Sequence, residues 1–280
     1  MGALAVIGVG STLISKLDLA SSNAQVAPVV RIEGGIAGGG SRGSADAVIK
    51  NLKLAFEQKN AQGVVLYIDS PGGAPAEAER INRYLTRMQE ETKKPVYAVC
   101  AGMCASAGYM IAMHADEIYA GRYSLVGSIG AVLSSWNFAD AIHKFGVQHN
   151  AYASGGLKAM LNPFSPIKSD DANKAQNLVN GMGHTFADEV KALRKDKLKP
   201  AGGDLFTGEV WDGQDALARG LIDRIGTLED LVRDKFPKDA VARDMSKASQ
   251  GFSFAKTLTD ALVQSVQELA LANGGFQVRD

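Results

Sequence analysis

Two short stretches of the chain carry the residue types of nucleophilic chemistry. Asp69–Pro75 reads DSPGGAP, and Gly102–Tyr109 reads GMCASAGY. Each follows an apolar run of strand type and leads into a helical pattern. A glycine turn that ends a strand can aim backbone N–H groups into a cleft. Ser106, at the head of the following helix, lies at the positive end of the helix dipole. An oxyanion site beside a serine nucleophile is the chemistry that such a pair suits.

A serine hydroxyl is a weak nucleophile and needs a base. The histidines are His114, His143, His149 and His184. None falls in a loop of glycine, proline and polar residues that reads as a cleft rim. His114 ends the helix behind Ser106 and is expected to point away, so all four read as structural. A lysine can replace histidine when burial holds its amine neutral. The candidate is Lys158, in Ser154–Phe164 (SGGLKAMLNPF), with Leu157, Ala159, Met160 and Leu161 around it. It is the only Lys, Arg, Asp or Glu between Lys144 and Lys168. Local sequence leaves two readings open, a desolvated base and a solvated loop lysine.

The elements that must position these residues follow from periodicity. Gly63–Ile68 (GVVLYI) is apolar throughout, as strands buried on both faces of a parallel sheet are. Val96–Cys100 and Glu117–Ala120 read as further strands, and Val29–Ile32 as a first short one. Ser44 is a plausible N-cap for a helix to about Gln58, and Ala76–Glu90 is helical with Ala78, Ile81 and Leu85 inward. Asp170 starts a long helix to about Lys195, and Thr227–Phe236 is a last core helix. Between them, Ala139–Phe145 is a short helix, Gln148–Ala153 a strand of mixed polarity, and Phe206–Asp223 a turn, short helix and final strand. Strands alternating with helices at this spacing predict an α/β fold with a mainly parallel sheet. Pro237–Gln250 reads as a polar linker, and Phe252–Leu271 as an amphipathic helix beyond it.

Composition removes several classes of function. With 30 Lys+Arg against 30 Asp+Glu the net charge is zero, so there is no electrostatic footprint for nucleic acid. Cys100 and Cys104 are no disulfide framework and make a poor zinc signal; they read as two small core residues. Ala5–Ser11 begins like a dinucleotide fingerprint but has Leu13 where the third glycine belongs. The glycine-rich Gly34–Gly43 lacks the ending of a phosphate loop. Met1 to Ile14 is apolar, shorter than the roughly 20 residues of a spanning helix, and without a basic flank before it. The stub of a membrane anchor is the favoured reading over an uncleaved signal or a first strand.

Taken together and in order, DSPGG, KPV followed by CASAGY, VGSIGAV, YASGGLKAMLNPF and TGEVWDGQDALARGLID resemble the S49 peptidases, the signal peptide peptidase A family. These are Ser-Lys proteases of the ClpP/crotonase-like fold, a mainly parallel sheet of ββα-type units with flanking helices. The resemblance covers roughly residues 29–235. It implies that Ser106 is the nucleophile, Lys158 the general base and Ser128 the residue that orients the lysine. It makes the N–H groups of Gly73 and Ala107 the oxyanion donors, although the family often has glycine at the position of Ala107. It further implies a serine endopeptidase with no cofactor and no metal, acting on a peptide or protein substrate as a homo-oligomer. Signal peptides or other membrane-associated peptides are the implied substrates; capsid maturation by a phage-type member, an inactive scaffold and a crotonase-type acyl-CoA enzyme are the alternatives. The expected organisation is a stub and linker over 1–28, a peptidase domain over 29–236, and a linker with a C-terminal helix over 237–280. If the stub is an anchor, the catalytic domain is expected in the periplasm at the inner membrane; otherwise the protein is expected in the cytoplasm.

Overall fold

A computed structural model describes residues 25–39, 41–199 and 203–246. The expected N-terminal stub and the Phe252–Leu271 helix lie outside the described residues. The central sheet has eight strands: β1 (Val26–Glu33), β2 (Val64–Ser70), β3 (Val96–Ala105), β4 (Glu117–Ala120), β5 (Leu125–Gly127), β6 (Val210–Trp211), β7 (Arg224–Ile225) and β8 (Val241–Asp244). Their order is β6-β5-β3-β2-β1-β8, with β4 joining β3 to β7. All pairings are parallel except β5 with β6. This is the expected α/β class.

Side chains alternate across the strands, as the pleat requires. Val30, Ile32, Leu66, Ile68, Ala98 and Cys100 enter the larger core. It is covered by α1 (Ala45–Phe56), α2 (Pro75–Thr92) and α3 (Ala107–Ala112). Ala27, Val29, Val65, Val99 and Tyr119 face the other way, onto Leu231 of the helix Leu228–Lys235 and Phe236. Each fully buried Val, Leu or Ile side chain favours folding by about 1.5–3 kcal/mol. Local signals set the helix starts. The Ser44 hydroxyl accepts from the Ala47 N–H, Pro75 opens α2, and Thr227 with Asp230 forms a capping box.

A bulge in β3 shapes the site. Ile68 pairs with Cys100 but Ser70 with Cys104, so β3 advances four residues while β2 advances two. Before the bulge the outer edge of β3 carries β4, and after it β5. The Asp69 carboxylate accepts the Met103 N–H at 2.9 Å, and the Ser124 hydroxyl donates to the Cys100 carbonyl at 3.0 Å. Cys100 and Cys104 are core residues, as expected; beyond that expectation, the bulge draws their Cα atoms to 5.2 Å and brings their sulfurs together. Four residues of regular strand would hold them roughly 13 Å apart.

Two expectations change. Gln148–Ala153 is not a strand; the segment is exposed and pairs with no strand among the described residues. The expected linker after Phe236 contains β8, which pairs with β1 over four residues. No helix among the described residues is long and apolar enough to cross a membrane.

Candidate active site

The SPGG turn leaves β2 with two glycines in conformations that other residues avoid, Gly72 at φ +101° and Gly73 at φ +150°. The Ser70 hydroxyl accepts the Gly72 N–H at 3.1 Å. Ile36, from the glycine-rich loop, donates to the Gly72 carbonyl at 2.9 Å and accepts from the Ala74 N–H at 2.7 Å. Ile36 thus uses both backbone groups on the residues that flank Gly73. The N–H of Gly73 itself then faces the opposite way, as in a parallel bridge. A Cβ at Gly73 would overlap the Ile36 carbonyl, and one at Gly72 would lie 2.6 Å from the Ser106 Cβ. Only glycine allows this approach.

Ser106 stands between the end of β3 and the start of α3 at φ 52°, ψ −122°. A serine there is strained, as nucleophiles on sharp strand-to-helix turns are. Its N–H donates to the Gly127 carbonyl at 2.8 Å, and its carbonyl accepts the Met110 N–H at 2.9 Å. The Ala107 N–H belongs to the first turn of α3, where a helix leaves its donors without internal partners. Ser128 follows β5 at φ 53°, and its N–H donates to the Glu209 carbonyl at 2.7 Å. Gly73, Ser106 and Ser128 line one cleft of about 1870 Å³. That cleft runs between α2 and α5 (Ser169–Arg194).

Lys158 is not brought to this cleft within one chain. It is exposed, on a segment from 131 to 168 that stands off the body. The physical reason is that the segment packs mainly on itself. Trp136 stacks on Phe138, Phe138 meets Phe164, and α4 (Ala139–Lys144) starts where the Phe138 N–H donates to the Pro163 carbonyl. Val132, Trp136, Phe145 and Tyr152 are left in solvent. Of the histidines, His114 and His184 do line the cleft, contrary to expectation. Neither is hydrogen-bonded to Ser106; His114 meets the Thr86 hydroxyl at 3.3 Å, and burial lowers its pKa. Among the described residues no group of acidic, histidine or cysteine side chains could hold a metal.

Sequence reasoning missed Gly127 and Asn82. Gly127 was one glycine among many in an apolar run. Asn82 had a signal, because it is a polar residue in register with the inward Ala78, Ile81 and Leu85.

The model of peptidase family S49 matches residues 88–241. The chain belongs to peptidase family S49. The Clp protease model also matches, over residues 36–129, and the fold is of the ClpP-like α/β type. Among curated relatives of this S49 chain, the Na(+)/H(+) antiporter NhaA of Brucella abortus is 38% identical over 213 residues, 75% of this chain and 29% of its own length. Protease 4 of Haemophilus influenzae is 30% identical over 244 residues, 86% of this chain and 39% of its own. Capsid assembly protease C of phage lambda is 28% identical over 207 residues, 74% of this chain and 46% of its own. The S49 chain therefore spans less than half the length of each of these three relatives. A solved structure of the 1510-N membrane-bound stomatin-specific protease with a substrate peptide shares 16% identity at a TM-score of 0.48, covering 79% of this chain and 92% of that one.

Proposed function

We propose that the chain is a serine endopeptidase with a Ser106–Lys158 dyad. The observation that carries the proposal is the strained turn at Ser106, held in one cleft with Gly73 and Ser128. Neutral Lys158 takes the Ser106 proton as Oγ bonds to a peptide carbonyl carbon. The tetrahedral oxyanion is held by the Gly73 and Ala107 N–H groups, each worth roughly 3 kcal/mol in the transition state. Lys158 returns the proton to the leaving amine, and water then hydrolyses the acyl-enzyme. Ser128 orients the lysine.

The exposure of Lys158 in a single chain supports a homo-oligomer in which the lysine enters the cleft of a neighbouring copy. The exposed aromatic and aliphatic side chains of segment 131–168 fit such burial. Burial there would desolvate the amine and favour its neutral form.

Signal peptides or other membrane-associated peptides are the substrates we favour, with the catalytic domain at the inner membrane. Similarity to the capsid assembly protease of phage lambda favours a second reading, maturation of capsid proteins. A serine-directed fluorophosphonate probe, read by mass spectrometry across a pH series, tests the dyad. Labelling of Ser106 that rises with pH and is lost in Lys158→Ala supports it. Absent labelling, or labelling elsewhere, would overturn it.

A further inference from the structure

The cleft that begins at Ser106 continues between α2 and α5, and residues carrying hydrogen-bond acceptors line it on both helices. Asn82, on α2, is only 5% exposed. Its Nδ2 donates to the Met110 carbonyl at 2.9 Å, while its Oδ1 has no partner among the described residues. A buried amide oxygen without a donor is costly, and this residue lines the cleft. Three residues earlier on the same helix face, Glu79 also lines it.

Glu189 stands on the α5 wall of the same cleft, half-buried. It has no hydrogen bond or ion pair among the described residues, as Glu79 has with Arg83. Burial raises the Glu189 pKa, and so does the charge of Glu79, which bears on it from the other helix. The Glu79–Arg83 bridge, at 2.8 Å, joins two exposed side chains and is readily exchanged.

We propose that Glu79, Asn82 and Glu189 form a subsite that takes the side chain of a lysine in the bound peptide. The ammonium of lysine carries three donors at one tip, which suits acceptors presented on two walls of one cleft. The planar fork of arginine suits a single carboxylate better. Met110, Leu178 and Met182 line the cleft as well and would cover the aliphatic stem. An apolar side chain in the same place would leave the Asn82 oxygen and two carboxylates facing hydrocarbon.

The subsite deepens the peptidase reading above and rests on it, so binding and hydrolysis are measured separately. Fluorescein-labelled peptides carry lysine or norleucine at successive positions. Their binding to the Ser106→Ala protein is followed by anisotropy, and their hydrolysis by the protein with Ser106 intact. At one position lysine is expected to bind about tenfold more tightly than norleucine, the scale of one charge-assisted hydrogen bond. Added salt should shrink that ratio. Combining Glu79→Gln with Glu189→Gln should bring it to about one. Equal binding of lysine and norleucine peptides at every position overturns the subsite, as does a ratio that survives the double substitution. A lysine preference without hydrolysis of any peptide would sink the peptidase reading and leave the subsite standing.

Discussion

The Ser106 N–H donates to the Gly127 carbonyl at 2.8 Å, so the Ser106 turn hangs on the last residue of β5. The next residue is Ser128, which is also at positive φ. The two strained serines are therefore fixed relative to each other through one peptide unit. Gly127 itself sits at φ +120°, and a Cβ there would lie 2.7 Å from the Trp211 ring and 2.9 Å from the Glu209 carbonyl. Gly127→Ala is expected to destabilise the fold by about 2–3 kcal/mol through overpacking and backbone strain. Urea unfolding reads this loss, and peptide hydrolysis should fall with it even below the transition. Unchanged stability and activity would mean that β6 yields freely and that this link does not hold the turn.

Strain at Ser106 predicts a trade between stability and activity. Glycine adopts φ 52°, ψ −122° without the Cβ penalty, so Ser106→Gly is expected to raise stability by about 1 kcal/mol after its entropic cost. Ser106→Ala keeps the strain and should gain little. Both variants should lose peptide hydrolysis. Thermal melts of the three proteins side by side check the order. If glycine proves less stable than alanine, the turn is not strained in the folded protein.

The proposed dyad, completed by the lysine of a neighbouring copy, is divisible. Ser106→Ala and Lys158→Ala should each be inactive alone. Mixed after dissociation and reassembly, they should regain activity. With random mixing in a head-to-tail ring, on the order of a quarter of the sites would hold an intact serine and an intact lysine. Specific activity of the unaltered protein should also fall steeply on dilution. A mixture that stays inactive while both variants assemble normally would argue for a dyad closed within one chain.

What the sequence made legible follows from how local each signal is. GVVLYI and VYAVC are apolar throughout, so β2 and β3 could be read without their neighbours. β8 (VARD) is a half-polar edge strand, and its pairing with β1 depends on chain more than 200 residues away. The β3 bulge was hidden because it arises where β4 gives way to β5 along one edge, a matter of register rather than composition. Ser106 was legible because a serine between an apolar strand and a helical pattern is read over a few residues, whereas Gly73 and Ser128 were singled out only through the family resemblance. The surroundings of Lys158 were not, since its apolar neighbours in sequence turned out to lie on a segment that packs apart from the main body.

The wall of the cleft that carries Glu189 is anchored by a buried ion pair. Arg194, 1% exposed, ends α5 and donates to Asp223 at 2.9 and 3.1 Å and to the Gly220 carbonyl. Burial works against ionisation of Asp223. The Arg194 hydrogen bonds and charge, the Ile118 N–H and Lys197 together outweigh it and hold the Asp223 carboxyl below its ordinary range. The folded-state pKa is thus lower than the unfolded one. The stabilisation is fully present above the unfolded value of about 4 and is lost as pH falls through the folded value. Asp223→Asn leaves a buried guanidinium without its counter-charge and is expected to cost about 3–5 kcal/mol at neutral pH. Arg194→Met should cost less, because Lys197 Nζ stays 3.0 Å from Asp223. Urea unfolding of all three proteins at stepped pH supplies the check. Below pH 4 the unaltered protein should lose stability faster than Asp223→Asn does, and the two curves should converge. Parallel curves would mean that Asp223 titrates alike in both states and that the pair does not anchor α5.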